Sequence, residues 1–233
     1  MKIAIMQPYI FPYVGYFQLV NAVDVFVFYD DVNFIKRGWI NRNNILVNHQ
    51  LNLFSIPLLK ASQNKLINET HLAIDEKWLK QFYNTLEFNY KKAPHFEPAF
   101  QLVKKVFETN HQTIADLTMA SIREVSNHLG LSTVFEQSSE SYPETKGMDK
   151  ADRLIRICQL KGIDTYVNPS GGKELYNKVY FKEQGIELFF IENKISGYRQ
   201  FDTNFVPGLS MIDILMFNDR TEIINMLNDY SLI

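Results

Sequence analysis

The sequence predicts an α/β fold of three layers around a mostly parallel sheet. It forms a single domain over residues 1–233, with a helical insertion or subdomain at roughly 70–130. Three observations lead there. Residues 2–29 read as strand, loop, helix and strand, the order of a βαβ unit. Val25-Phe26-Val27-Phe28-Tyr29 is apolar throughout, as expected of a parallel strand buried on both faces. The same rhythm returns after residue 148, where a helix, a strand, a glycine turn, a helix and a strand follow one another.

In order, Lys2–Met6 is a short β-type run, the chain turns at Pro8 and Pro12, and Gly15–Ala22 has helical spacing. Residues 45–58 read as two short strands with a turn near Asn48–Gln50. Trp78–Tyr90, Phe96–Thr109 and Thr113–Leu129 carry apolar residues three and four apart, and Gly130 stands where a helix C-cap belongs. These helices either form a small subdomain or pack on the sheet. After Val134-Phe135 and a polar stretch, Asp149 is an N-cap candidate for a helix running to Lys161, with Gly162 as its stop. Thr165-Tyr166-Val167 is a strand, Pro169-Ser170-Gly171-Gly172 a tight loop, Lys173–Gln184 a helix and Ile186–Ile191 a strand.

Composition narrows the function. Hydrophobic residues make up 46% and charged residues 21%, so the chain is globular rather than disordered. A domain of this size buries roughly 70% of its unfolded surface. The net charge is −2, and no basic run exceeds pairs such as Lys91-Lys92, which weighs against a nucleic-acid partner. The apolar start Met1–Met6 is too short for a signal peptide or a membrane span. The single Cys158 excludes an intramolecular disulfide and a thiolate metal cluster, and a reducing, cytoplasmic location is expected. Cys158 shares a helical face with Ala151, Leu154 and Ile155 and reads as core. The five histidines lack metal-ligand spacing, so no metal site is expected, and no cofactor can be named.

Aromatic residues stand out: 18 Phe, 12 Tyr and 2 Trp, many within residues 9–39. A buried tyrosine needs a partner for its hydroxyl, so Tyr9, Tyr13, Tyr16, Tyr29 and Tyr83 suit the rim of a pocket. Three stretches could carry chemistry. The first is Met6–Tyr16, where two prolines stiffen the loop, Gly15 permits close approach, and a helix N-terminus offers an anion site. Gln7, Tyr9, Tyr13, Gly15 and Tyr16 are its candidate substrate-binding residues. The alternative is a rigid connector packing rings into the core. Tyr13-Val14-Gly15-Tyr16 resembles in spacing and position the His-x-Gly-His signature of nucleotidylyltransferases. That resemblance implies a nucleotide-binding core of the nucleotidylyltransferase or HUP-like kind. Neutral tyrosines in place of imidazolium argue against ordinary nucleotidyl transfer.

The second stretch, Tyr29–Asn44, follows the second strand and so lies at the same carboxyl edge of the sheet. Asp30 and Asp31 could orient a base or an amine, and with Lys36 they are the candidate catalytic residues. Arg37 and Arg42 suit phosphate or carboxylate, Trp39 suits a ring, and Asn41 adds an amide. A solvated loop accounts for the charges but poorly for Trp39. The third stretch comprises Lys146–Arg153 and Asn168–Lys173 with Tyr176. Ser170, Gly171 and Tyr176 are binding candidates there, although a plain tight turn explains the glycines equally well.

The chain resembles the WbqC-like protein family. The resemblance is carried by Met6–Leu19, by Asp30–Asn43, and by the late segments Gly185–Leu188, Tyr198, Gln200 and Phe205–Asn218. Asn168-Pro169-Ser170 departs from a Ser-Gly reading common in the family. The resemblance implies surface-polysaccharide (O-antigen, lipopolysaccharide) biosynthesis, and with it a transferase acting on a nucleotide-linked amino sugar by N-acylation or N-aminoacylation. The expected partners are thus a nucleotide sugar and an acyl or aminoacyl donor. Two alternatives stay open: an ATP-dependent acyl-adenylating ligase, and a non-catalytic scaffold of a polysaccharide-synthesis complex.

Overall fold

A computed structural model describes residues 1–201 and 204–233. Among the described residues, six strands form the central sheet: β1 (Lys2–Met6), β2 (Val25–Phe28), β5 (Val134–Gln137), β6 (Thr165–Pro169), β7 (Glu187–Asn193) and β8 (Tyr230–Leu232). Their spatial order is β5-β2-β1-β6-β7-β8, and every pairing is parallel except β7 with β8. Numbered within the sheet alone, this is the 3-2-1-4-5-6 order of a doubly wound α/β fold. Chain direction across the sheet reverses between β1 and β6, so their carboxyl ends part to leave a crevice there.

Alternation along the strands separates two cores. Ala4, Phe26, Phe28, Val167 and Ile191 face one layer, whereas Ile3, Ile5, Val25, Val27, Tyr166 and Leu188 face the other. The second layer is built by α6 (Lys150–Lys161) and α7 (Lys178–Glu183). The first holds α1 (Val14–Asn21), α2 (Glu76–Tyr90), α3 (Phe96–Glu108), α4 (Ile114–Leu129), α8 (Met211–Phe217) and α9 (Arg220–Asn228). The helices expected over 70–130 are thus α2, α3 and α4, and they share one continuous core with the sheet. α4 is the crossover from β2 to β5. Its Ile114, Leu117, Ile122, Val125 and Leu129 are fully enclosed, and Gly130 closes it at φ +69°.

Residues 42–55 form a hairpin of β3 (Arg42–Val47) and β4 (Gln50–Ser55), separate from the main sheet. Asn48 and His49 both take positive φ, as a two-residue turn matched to strand twist requires. One expected boundary moves. The helix expected to begin at Lys173 begins at Lys178, because a 3-10 turn occupies Ser170–Gly172 and the Asn177 side chain accepts the Val179 and Tyr180 N–H groups as N-cap. A short α5 (Ser138–Ser141) lies within the stretch read as merely polar. No helix among the described residues is long and apolar enough to cross a membrane.

Candidate functional site

The loop between β1 and α1 is rigid for reasons beyond its prolines. Phe11 is fully buried at φ +39°, a conformation that costs a non-glycine residue about 1–3 kcal/mol and persists only where its surroundings over-determine it. They do. Ser121 Oγ of α4 accepts the Phe11 N–H at 3.2 Å. Asn43 Nδ2 of β3 donates to the carbonyls of Ile10 (3.0 Å) and Phe11 (2.7 Å). The Met211 N–H at the start of α8 reaches the Phe11 and Pro12 carbonyls, and the Ile10 N–H donates to the Ile40 carbonyl.

Within this frame Gln7 organises two rings: the Tyr16 hydroxyl donates to its carbonyl at 3.0 Å and the Tyr9 hydroxyl to its Oε1 at 3.4 Å. The Tyr9 and Tyr16 rings pack with centroids 5.7 Å apart. The Tyr13 ring lies against the first turn of α1. A Cβ on Gly15 would come within 2.4 Å of it, so only glycine leaves room for the ring.

A cleft of about 430 Å³ opens where β1 and β6 part, the crevice that the strand order dictates. Tyr9, Tyr13, Gly15 and Tyr16 from the first stretch line it, with Trp39 from the second and Ser170 and Gly171 from the third. These three stretches, read apart in the sequence, meet here. Tyr13 and Trp39 are 40% and 48% exposed, which leaves their faces open to a ligand. Burial pushes the Tyr9 hydroxyl up to about 12, with Tyr13 adding to the shift, and raises Tyr16 further and Tyr13 as well. All three are neutral hydrogen-bonding groups at ordinary pH.

The other expected residues lie elsewhere. Asp30 is buried at the end of β2, where it accepts hydrogen bonds from Ser138 Oγ (3.1 Å), the Ser139 N–H (3.1 Å), Ser139 Oγ (2.5 Å) and Asn68 Nδ2 (3.2 Å). Asp31 is buried in an ion pair with Arg153 Nη2 at 2.6 Å and also accepts from Ser138 Oγ. Arg153 further donates to Thr145 Oγ1 and stacks on the Tyr29 ring. The two carboxylates thus tie β2 to α5 and α6, and neither lines the cleft. Both are enclosed by these partners and set apart from the cleft, so in this arrangement neither is placed to take a substrate proton there.

Lys36 and Arg37 are exposed on the turn that carries Trp39. Arg42 braces that turn, its guanidinium donating to the carbonyls of Gly38 and Arg37. Asn41 exchanges hydrogen bonds with Ile56 across the hairpin base. Tyr176 packs edge-on against Phe181 in the second core. Cys158 is buried, and burial pushes its thiol up to about 12, as suits a core residue.

Residues not singled out in the sequence complete the site. Asn43 and Gly208 line the cleft, as does Asn193, which donates through Nδ2 to the Gly15 carbonyl (3.1 Å) and Gln18 Oε1 (2.7 Å). Behind Gly208, buried Asp213 accepts from Tyr90 Oη (2.8 Å), Tyr198 Oη and Gln200 Nε2 (3.0 Å). Burial raises its pKa despite those hydrogen bonds. Gln200 in turn pairs with both the N–H and the carbonyl of Val206, fixing the segment that leads to Gly208. An acid within the apolar run Met211–Phe217 was the signal for a buried carboxylate; Asn193 gave none.

The model of the WbqC-like protein family matches residues 7–224. The chain is 33% identical over 224 residues to a protein of Mycobacterium tuberculosis (strain ATCC 25618 / H37Rv) named "Uncharacterized protein Rv1507c", a match covering 95% of each chain. No solved structure matches.

Proposed function

The chain belongs to the WbqC-like protein family, and from that premise we propose that it is a cytoplasmic transferase acting on a nucleotide-activated amino sugar in surface-polysaccharide synthesis. The reaction is N-acylation or N-aminoacylation. The amine nitrogen attacks the donor's acyl carbon, an N–C bond forms, the bond to the donor's leaving group breaks, and the amine gives up a proton. The observation that carries this reading is the ring-lined cleft at the reversal point of a doubly wound sheet, the place where such folds bind nucleotides and their conjugates. The nucleotidylyltransferase or HUP-like kinship of the core is part of the same proposal. It is supported by the position of Tyr13-Val14-Gly15-Tyr16 at the β1–α1 junction.

In this reading Tyr13 and Trp39 provide stacking faces for a sugar or base, and Lys36 and Arg37 on the Trp39 turn attract phosphate or donor carboxylate. The test is purified protein incubated with dTDP-amino sugars and a panel of acyl and aminoacyl donors, read by mass spectrometry. A sugar heavier by one acyl group is expected. Unmodified sugar across the whole panel sinks the proposal.

A further inference from the structure

We infer that the cleft admits the amino sugar as its free, uncharged amine, so that the surroundings rather than a protein carboxylate supply the nucleophile; this rests on the transferase reading above. The starting point is what lines the cleft. Among the described residues its walls are aromatic, aliphatic, hydroxyl and amide groups, with neither an Asp nor a Glu. The two carboxylates expected to act as a base, Asp30 and Asp31, are committed to Ser138, Ser139 and Arg153. The titratable groups that do line it are Tyr9, Tyr13 and Tyr16, which burial keeps as neutral phenols. An ammonium entering such a space loses hydration and gains no counter-charge, which favours the neutral amine.

The helix end and the cations of the Trp39 turn act in the same direction, whereas Asp213, spent on Tyr90, Tyr198 and Gln200, opposes them from behind Gly208. The start of α1 at Gly15 presents the positive end of a helix dipole to the cleft. The Trp39 turn carries Lys36 and Arg37 and is braced by Arg42. Glu192 of β7 stands 3.7 Å from Lys173, just past the 170 turn, which offsets its charge. Asn193 adds a directional element. Its amide N–H groups are spent on Gly15 and Gln18, so its Oδ1 can only accept. An amine N–H donated to that oxygen leaves the nitrogen lone pair free to attack the acyl carbon. The N–C bond then forms, the leaving group departs with its bonding electrons, and the amine's spare proton passes to it or to water.

Calorimetric titration of the protein with a dTDP-amino sugar and with its hydroxy counterpart, between about pH 6 and 9, tests this. Affinity for the amino sugar is expected to rise about tenfold per pH unit below the amine's own pKa and then to level off. Comparing buffers of different ionisation enthalpy is expected to show release of one proton on binding below that pKa. The hydroxy sugar is expected to bind independently of pH. Amino-sugar affinity that is flat, or higher at acid pH, overturns the inference and leaves the transferase reading standing. Failure of both sugars to bind at any pH overturns that reading and the inference with it.

A second variant reverses the effect. Gly171 faces open space and tolerates a side chain, so Gly171→Asp places a carboxylate in the cleft wall. The variant is expected to bind the ammonium form and to flatten the pH slope. A slope unchanged from the parent counts against the inference.

Discussion

Phe11 shows how much chemistry the structure spends on keeping one backbone position in place. Its left-handed backbone is tolerable because Asn43, Ser121 and Met211 satisfy its polar groups at once. Asn43→Ala removes two of those bonds, leaving the Ile10 carbonyl without its donor and the Phe11 carbonyl with Met211 alone. We expect a loss of roughly 1–3 kcal/mol by urea denaturation, and weaker ligand binding beyond what the stability loss explains. A variant as stable as the parent would show that the loop holds itself. Asp31 and Arg153 make the complementary case of a buried ion pair. Arg153→Met strands a buried carboxylate and is expected to cost about 3–5 kcal/mol, whereas the double variant Asp31→Leu/Arg153→Met recovers much of that loss. Additive losses in the two variants would contradict the pairing.

Among the elements, α1 and the turn at Gly208 shape the cleft. The Tyr13 ring fits against α1 only because position 15 lacks a Cβ. Gly15→Ala is therefore expected to move the ring and weaken ligand binding at least tenfold, with far-UV circular dichroism unchanged, since alanine suits a helix better than glycine. Binding unaffected by the methyl group would remove Tyr13 from the site. Tyr198 and Gln200 are held by Asp213, whose pKa is raised by burial above its ordinary value of 3.8. A folded-state pKa above the unfolded one gives a stabilising contribution that is complete below 3.8 and fades as pH rises through the folded value. Relative to Asp213→Asn, the parent is thus expected to lose stability as pH rises from about 4, visible as diverging denaturation midpoints. Parallel curves would mean that Asp213 titrates normally.

Over the whole molecule, the parts legible in the sequence are those whose signal is local. The apolar runs of β1, β2, β6 and β7, the caps Gly130 and Gly162, and the hairpin turn at Asn48-His49 each read from a few neighbouring residues. The rings of the cleft were legible for the same reason, since Tyr9, Tyr13, Tyr16 and Trp39 crowd into one stretch. What stayed hidden depends on distant partners. Asp30 and Asp31 looked free because Ser138 and Arg153, more than a hundred residues downstream, take them up only in the folded chain. Likewise α8, α9 and β8 went unassigned. Met211–Phe217 is buried on every side and apolar but for Asp213, because it is wrapped by protein, which erases the periodicity that marks a surface helix.

The bracing of the β1–α1 loop also has a consequence in time. The groups that hold it come from β3, from α4 and from the start of α8, so the first forty-four residues contain every ring of the cleft yet lack Ser121 and Met211, which close the frame around Phe11. Contacts between parts so far apart in sequence form late, because long stretches of chain must be closed before they can be made. Recognition should therefore be acquired in one step near the end of refolding: a nascent chain that has not yet emerged past Met211 carries all the aromatic surface of the receptor and none of its affinity.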